Sequence, residues 1–151
     1  MIAQADIVRV ARAYGLDPEL LTAQILVESS GDATAFRYEP AFFRRYVHGN
    51  PDAKAAKFGP LAACSFGLLQ ILLETACEIG FVGQPWDLFT PAIGLEWGAK
   101  YFAALLAWAG GDVTRALAAY NGGKQGNVRP PFRNQAYADK VLAQWEARRP
   151  M

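Results

Sequence analysis

The stretch that decides the fold is DPELLTAQILVESSGD, residues 17–32. Its Asp-Pro start supplies an N-cap and a first helical residue. The pattern therefore predicts a helix from Pro18 to about Ser29 that ends at the Gly-Asp pair. Leu21, Ile25 and Glu28 recur at a spacing that places them on one face of this helix. The helix thus carries an acidic side chain at the end of its apolar stripe.

The position of Glu28 is compatible with a chemical role. A glutamate on an apolar stripe is partly buried, and burial raises the pKa of a carboxyl group. We therefore predict a raised pKa for Glu28. A carboxylic acid that is still protonated near neutral pH can donate a proton to a leaving oxygen. From helix position alone the structural alternative is favoured, in which Glu28 caps its own helix or pairs with an arginine.

The rest of the chain is predicted to be mostly helical, in a single domain of residues 1–151. Further helices are predicted at Ala3–Tyr14, near Pro40–Val47, at Gly67–Ile79, Pro91–Ala109 and Val113–Tyr120, and from an Asn134 cap to about Arg148. Residues 123–133, rich in glycine, proline and basic residues, are predicted to be flexible. No alternating run is long enough to require a sheet. The fold class is therefore all-α, with at most a small β element in residues 35–60 or near Phe81.

Composition limits the classes of partner. Hydrophobic residues make up 52% of the 151 residues, which predicts a folded chain. The net charge of +1 argues against a nucleic-acid partner, because neutralising phosphates needs a clear basic excess. A neutral sugar polymer remains possible, since aromatic faces grip sugars and aromatic residues make up 13% of the chain.

The chain offers no pattern for a metal or a cofactor. Cys64 and Cys77 are expected to be buried free thiols, with a disulfide as the alternative. His48 is the only histidine, which excludes a zinc site of the HExxH type. Its polar neighbours place it in a surface loop.

Four motifs follow one another along the chain. Glu28-Ser29 is followed by Ser65–Ile71 (SFGLLQI), by Ala119–Gly123 (AYNGG), and by Tyr137 in the last predicted helix. This ordered set resembles the goose-type-lysozyme-like lytic transglycosylases of the soluble lytic transglycosylase group. Each motif alone is weak, but together they extend over nearly the whole chain.

The resemblance implies a reaction. These enzymes cut the β-1,4 bond between N-acetylmuramic acid and N-acetylglucosamine in peptidoglycan with one glutamate and no second carboxylate. The glutamate matching Glu28 protonates the glycosidic oxygen and then takes the proton of the muramoyl 6-hydroxyl, which closes onto C1 as a 1,6-anhydro end. Two alternatives stay open: a hydrolytic muramidase on the same fold, and a glycan-binding virion component with little catalysis.

The resemblance also implies substrate contacts, each with a structural alternative. Ser29 lies in the cleft or satisfies the helix end, and Gln70 binds substrate or cleft backbone or is a plain helix-surface amide. Tyr120 and Asn121 line the sugar site or merely close a helix. Tyr137 sets the surroundings of the catalytic glutamate or packs its helix. The turn containing Gly67 needs a left-handed or crowded backbone.

Other carboxylates decide between the two chemistries. Asp32 is predicted to be a turn residue, and Glu74 and Glu78, four apart on one helix, are predicted to face solvent. Asp32 or Glu39 facing Glu28 across a cleft would instead allow hydrolysis by an inverting route.

One segment departs from the family pattern. Where the family often has a short Ser-x-x-Gly-Ala segment, residues 59–66 read GPLAACSF, and residues 36–46 are rich in aromatic residues and arginine. The second stretch resembles those of phage-encoded members. It forms a cleft wall, with Tyr38 among its sugar contacts, or a flap packed on the core.

Delivery to the cell wall is a further expectation. Residues 1–10 lack a basic region followed by a long apolar core, so we expect no signal peptide. The protein would be made in the cytoplasm and act on the wall after release, or travel with a phage virion or a secretion machine. No stretch is long enough for a membrane span, and a monomer is the default.

Overall fold

Residues 2–149 are described by the computed structural model, and they are mainly helical. The seven α-helices are α1 (Gln4–Ala13), α2 (Pro18–Ser29), α3 (Pro40–Phe42), α4 (Leu73–Glu78), α5 (Pro91–Trp108), α6 (Val113–Gly122) and α7 (Gln135–Arg148). A π-helical turn at Phe43–Val47 continues α3, and 3₁₀ turns occupy Ala56–Ala63 and Pro85–Phe89. The predicted helical class is confirmed.

Three short strands form the β element that the sequence left open. They are β1 (Phe36–Tyr38), β2 (Cys64–Phe66) and β3 (Ile71–Leu72), antiparallel in the order β1-β2-β3. Phe36 pairs with Phe66 and Phe66 with Ile71. β1 and β3 are thus the edges of the sheet.

The chain divides into two compact units. Unit 1 contains Ile2 and residues 28–98, and unit 2 contains residues 3–27 and 99–149. Helix α2 belongs to unit 2 up to Val27 and to unit 1 from Glu28, and α5 changes unit after Gly98. The prediction of one domain stays a prediction.

Unit 2 is built from helices. Every helix of the unit contributes buried apolar side chains to its core, among them Val10, Leu21, Phe102, Leu105, Leu117 and Val141. α6 packs against α7, and the Asp112 carboxylate caps α6 by accepting the backbone N–H of Arg115. An ion pair between Arg148 and Glu19 (2.7 Å) joins α7 to α2.

Unit 1 contains the sheet, α4 and the irregular segments. Here the predicted helix Gly67–Ile79 is wrong in its first half. Gly67 and Gln70 have φ values of 78° and 50°, which a right-handed helix does not allow. Residues 67–70 therefore form a turn between β2 and β3, and only Leu73–Glu78 is helical. The run of Leu and Ile in this segment suits a buried strand as well as a buried helix, so periodicity alone does not separate them.

Two smaller expectations are also corrected by the structure. Glu78 is exposed, but Glu74 is only 4% exposed. Its carboxylate accepts the backbone N–H groups of Lys54 (2.9 Å) and Ala55 (2.7 Å), so it orders the preceding loop and does not face solvent. Asn134 precedes α7 as predicted, but its side chain does not cap that helix.

Three further observations concern the cysteines, His48 and the membrane. Cys64 and Cys77 are free thiols as expected, but only Cys64 is buried, whereas Cys77 is half-buried. His48 is exposed. Burial is the main cause that raises the pKa of each thiol, so neither favours the thiolate. Across residues 2–149, the helices are too short or too polar to cross a bilayer.

Candidate active site around Glu28

Glu28 lies in the last turn of α2 and is half-buried. The helix ends directly after it, because Ser30 and Gly31 take φ values of 54° and 83°. The Ser29 hydroxyl donates to the carbonyl of Leu68 (2.8 Å) and accepts the N–H of Gly31 (3.2 Å). The end of the helix that carries Glu28 is thereby fixed to the turn at residues 67–70.

That turn depends on a glycine for two reasons. Gly67 has a left-handed φ of 78°, and a Cβ at this position would lie 2.5 Å from the carbonyl oxygen of Leu88. A Cβ at Gly94 would also lie 2.5 Å from this oxygen. The N–H of Gly67 donates to the carbonyl of Ala35 (2.8 Å), which ties the turn to the start of β1. Both sequence expectations for Gly67, the left-handed backbone and the crowding, are confirmed.

Gln70 holds the same turn with its side chain. Its Nε2 donates to the carbonyls of Ala35 (2.9 Å) and Gly67 (3.1 Å). Gln70 is therefore not a plain helix-surface amide. Its side chain binds the protein backbone, as one of the alternatives predicted. Both amide hydrogens have protein acceptors, so the amide oxygen is the group that a substrate can use. Its contact with substrate stays a prediction.

The two acidic residues that follow Glu28 most closely in the sequence, Asp32 and Glu39, each have a hydrogen-bond or ion-pair partner. The Asp32 carboxylate accepts the backbone N–H (2.9 Å) and the hydroxyl (2.7 Å) of Thr34. These two bonds lower the pKa of Asp32, so it is a turn residue, as predicted. Glu39 forms an ion pair with Arg37 (3.0 Å). Each carboxylate has a local structural role.

Tyr38 lies in β1 and is 42% exposed. Its ring lies 6.4 Å from that of Phe43, centre to centre. The tyrosine can therefore offer an aromatic face to a ligand, as a sugar contact requires. The sugar contact of Tyr38 stays a prediction.

Three predicted site residues belong to unit 2. Tyr120, near the end of α6, packs its ring against Tyr101 (5.3 Å) and Phe102 (6.1 Å). Asn121 accepts a hydrogen bond from the Asn134 side chain (2.8 Å). Tyr137 is half-buried on α7. Glu28, Ser29, Tyr38 and Gln70 all belong to unit 1.

The sequence does not single out Asn127, whose side chain makes several hydrogen bonds. Asn127 is fully buried, and its Nδ2 donates to the carbonyl of Gly123 (2.9 Å) and to Asn134 Oδ1 (2.9 Å). Its Oδ1 accepts the backbone N–H of Asn134 (3.0 Å). Residues 123–133 are predicted to be flexible, yet this side chain ties them internally. An asparagine in a loop rich in glycine and proline carries no signal that separates such a role from an ordinary turn.

Within residues 2–149 no group of three His, Cys, Asp or Glu side chains is placed to hold a metal ion. What the site offers chemically is a half-buried carboxyl group at a helix end whose neighbours are fixed by hydrogen bonds. Such a group can hold and transfer a proton.

Comparison with known families identifies the chain. A sequence profile described as "Transglycosylase SLT domain" matches residues 7–143. The chain belongs to the transglycosylase SLT family. The family predicted from the order of the four motifs is thereby confirmed, and the phage-type assignment stays a prediction.

A solved structure agrees with the fold of this SLT domain. It is the X-ray structure of lytic transglycosylase Slt from Pseudomonas aeruginosa, an inactive mutant in which a glutamate is replaced by glutamine. The two chains share 21% identity with a TM-score of 0.69, over 96% of this chain and 23% of that one. At this identity the likeness shows the fold. The SLT domain described here spans less than a quarter of that protein's length.

Proposed function

We propose that this SLT domain is a peptidoglycan lytic transglycosylase in which Glu28 acts first as acid and then as base. The observation that carries the proposal is the family match over residues 7–143, within which Glu28 ends a helix fixed by Ser29 to the glycine turn. The structural neighbour supports it, since that protein was made inactive by exchanging one glutamate for glutamine.

The reaction needs one group that changes its protonation state. Protonated Glu28 gives its proton to the glycosidic oxygen as the bond from that oxygen to C1 of the muramoyl sugar breaks. The resulting carboxylate takes the proton of the 6-hydroxyl of the same sugar, and the 6-oxygen bonds to C1. Glu28 ends protonated as it began, and no water is consumed. The local bonding of Asp32 and Glu39 supports a route with a single carboxylate.

The proposal extends to the substrate contacts. Ser29, Tyr38, Gln70, Tyr120, Asn121 and Tyr137 are the residues proposed to touch the glycan strand or to set the surroundings of Glu28. Their hydrogen bonds and ring contacts show that several also have structural roles. A structure with a bound muropeptide would separate contact residues from purely structural ones.

Glu28→Gln tests the proposal. The amide keeps the shape of the side chain but neither donates an acidic proton nor accepts one, so cell-wall clearing should fall by about 10²–10⁴-fold. Glu146→Gln is the matched control, since Glu146 is exposed on α7, and it should clear walls as the parent does. Clearing by Glu28→Gln at the parental rate would remove Glu28 as the catalyst. It would leave the glycan-binding alternative or a different catalytic group.

The raised pKa expected for Glu28 is a separate part of the proposal. A carboxyl titration followed by NMR, with Glu28 assigned by its absence in Glu28→Gln, measures it directly. We expect a value well above the ordinary 4.3 or so of a glutamate. An ordinary value would count against an acid that is protonated near neutral pH.

A further inference from the structure

A pocket of about 320 Å³ lies in unit 1, between the 3₁₀ turn that begins at Ala56, the end of α4 and the loop that follows α4. This volume is near the lower end of the range for small-molecule sites. The side chains that line the pocket include Lys54, Lys57, Phe58, Cys77, Phe81 and Val82. None of them belongs to the helix end or the glycine turn that hold Glu28, so the pocket is a separate feature of the unit.

One part of the pocket wall is apolar. Phe81 is 7% exposed, and its ring packs edge-on against that of Trp97, with 5.5 Å between the ring centres. Phe58 is half-buried, whereas Val82 is 98% exposed. A ligand that covered Phe58 and Val82 would remove apolar surface from water, which favours binding.

The same wall carries two positive charges, those of Lys54 and Lys57. Neither ammonium group forms an ion pair within residues 2–149. The Lys57 ammonium lies 5.1 Å from the centre of the Phe58 ring, so a positive charge adjoins an apolar face. A ligand that matches this wall therefore combines a negative charge with an apolar body.

The two carboxyl groups of α4 are bonded elsewhere. Glu74 accepts the backbone N–H groups of Lys54 (2.9 Å) and Ala55 (2.7 Å), and Glu78 shares a hydrogen bond with Glu74. These bonds fix the backbone that carries Lys54. They also leave both lysine ammonium groups available to an anion.

The loop after α4 is fixed as well. The N–H of Phe81 donates to the carbonyl of Ala76 (2.9 Å), and the Asp87 carboxylate accepts the N–H of Gln84 (2.8 Å). Both sides of the pocket are thus formed before a ligand arrives. A preformed site binds more tightly, because less conformational freedom is lost on binding.

We propose that this pocket binds a small organic anion, whose apolar body contacts Phe58, Phe81 and Val82 and whose anionic group contacts Lys54 and Lys57. Charged hydrogen bonds from ammonium groups would hold the anionic group. An inorganic anion would leave the apolar wall in water, and a neutral apolar molecule would leave the lysines without a partner. The inference does not depend on the proposed reaction, in which none of these residues takes part.

Cys77 makes binding at this place measurable. Its half-buried thiol lines the pocket, whereas Cys64 is buried and does not line it. A bound ligand should therefore shield Cys77 from alkylation and leave Cys64 unaffected. The folded parent protein is treated with iodoacetamide, and mass spectrometry of its peptides gives the alkylation rate of each cysteine. Phenylacetate is the probe, acetate lacks its aromatic body, and benzyl alcohol lacks its charge.

The expected result is protection that needs both parts of the probe. Phenylacetate at about four times its Kd should slow the alkylation of Cys77 about fivefold, because only the unliganded fraction reacts. Acetate and benzyl alcohol at the same concentration should have little effect. The alkylation rate of Cys64 should stay the same throughout.

A lysine variant tests the charged part of the site. Lys54→Gln combined with Lys57→Gln should weaken phenylacetate binding about tenfold, since two exposed ion pairs are lost. The control combines Arg129→Gln with Lys140→Gln, which removes the same charge from exposed positions in unit 2 and should leave binding unchanged. Each variant is compared with and without ligand, because the charge of Lys57 also acts on the Cys77 thiol. Thermal unfolding confirms that the variants are folded.

Three outcomes would overturn the inference. The first is an unprotected Cys77 at about 20 mM phenylacetate, well above the millimolar Kd expected for about ten non-hydrogen atoms. The second is equal protection by acetate or by benzyl alcohol, and the third is parental affinity in the folded lysine variant. The ligand series alone decides if that variant does not fold. None of these measurements involves cleavage, so they are independent of the test of Glu28.

Discussion

At the scale of single residues, Gly67 combines two constraints that are usually separate. Its backbone is left-handed, and the carbonyl of Leu88 occupies the place of a side chain. Gly67→Ala should lower the free energy of unfolding by about 3 kcal/mol, through left-handed strain and through displacement of that carbonyl. Urea unfolding measures it.

Gly49→Ala is the matched control for this prediction. Gly49 has a φ of 70° in the same unit, but a Cβ there would have nothing within 4 Å. Its substitution should cost only about 1 kcal/mol, the strain of a left-handed alanine. Equal losses for the two variants would show that the close approach to Leu88 has no energetic consequence.

Asp32 tests the single-carboxylate route at the residue scale. Because its carboxylate is bound to Thr34 in a local turn, Asp32→Asn should change wall clearing by no more than about twofold, far below the loss of a general acid or base. Clearing rates on purified sacculi measure this. A loss as large as that of Glu28→Gln would make Asp32 the second carboxylate of a hydrolytic mechanism.

At the scale of elements, α4 carries a pair of carboxylates with a pH-dependent consequence. The pKa of Glu78 is raised to about 7. The largest cause is desolvation of its carboxyl group, and a hydrogen bond with Glu74 and repulsion from that carboxylate add to it. The positive charge of Lys54 partly offsets this rise. Folded Glu78 therefore keeps its proton up to about pH 7, whereas the unfolded chain loses it near an ordinary pKa of 4.5. The folded state binds more protons between these values, so stability falls as the pH rises through this window.

Glu78→Gln should flatten this decline. Glu78 is exposed, so water screens the repulsion, and the difference between parent and variant across the window should be about 1 kcal/mol or less. Urea unfolding at a series of pH values measures it, with the exposed Glu146→Gln as the control that keeps the parental slope. An unchanged slope in Glu78→Gln would contradict the assignment.

The loop between α6 and α7 depends on Asn127. Asn127→Ala removes a fully buried amide together with its bonds to Gly123 and Asn134, which should cost about 2 kcal/mol of unfolding free energy. Asn50→Ala is the matched control: Asn50 also has bonds to the backbone, but it is exposed. Urea unfolding that shows equal small losses would mean that the loop does not need Asn127.

The elements also show what the sequence can predict. The bounds of α2 and α5 can be predicted from the sequence. Each helix begins at a proline that follows an N-cap residue and ends shortly before a glycine, and these residues affect only the backbone next to them. The turn at residues 67–70 cannot be predicted in this way, because β3 exists only through pairing with β2. The burial of Glu74 escapes prediction for the same reason, since its partners, Lys54 and Ala55, lie about twenty residues away in sequence.

At the scale of the whole molecule, the order of the motifs along the chain is enough to indicate the family. Glu28, the glycine turn and AYNGG are separated by long stretches, and only their succession is informative. The site residues are less predictable individually. Gln70 and Asn121 bond to the protein itself, and a motif does not reveal whether a polar residue serves the fold, the substrate or both.

The most direct test of the central claim is the identity of the sugar ends. Purified sacculi are digested with the parent and with Glu28→Gln, and the products are analysed by mass spectrometry before and after borohydride reduction. The parent should release muramoyl ends that lack the elements of one water and resist reduction, and Glu28→Gln should release none. Reducible ends from the parent, or anhydro ends from Glu28→Gln at the parental rate, would contradict the account.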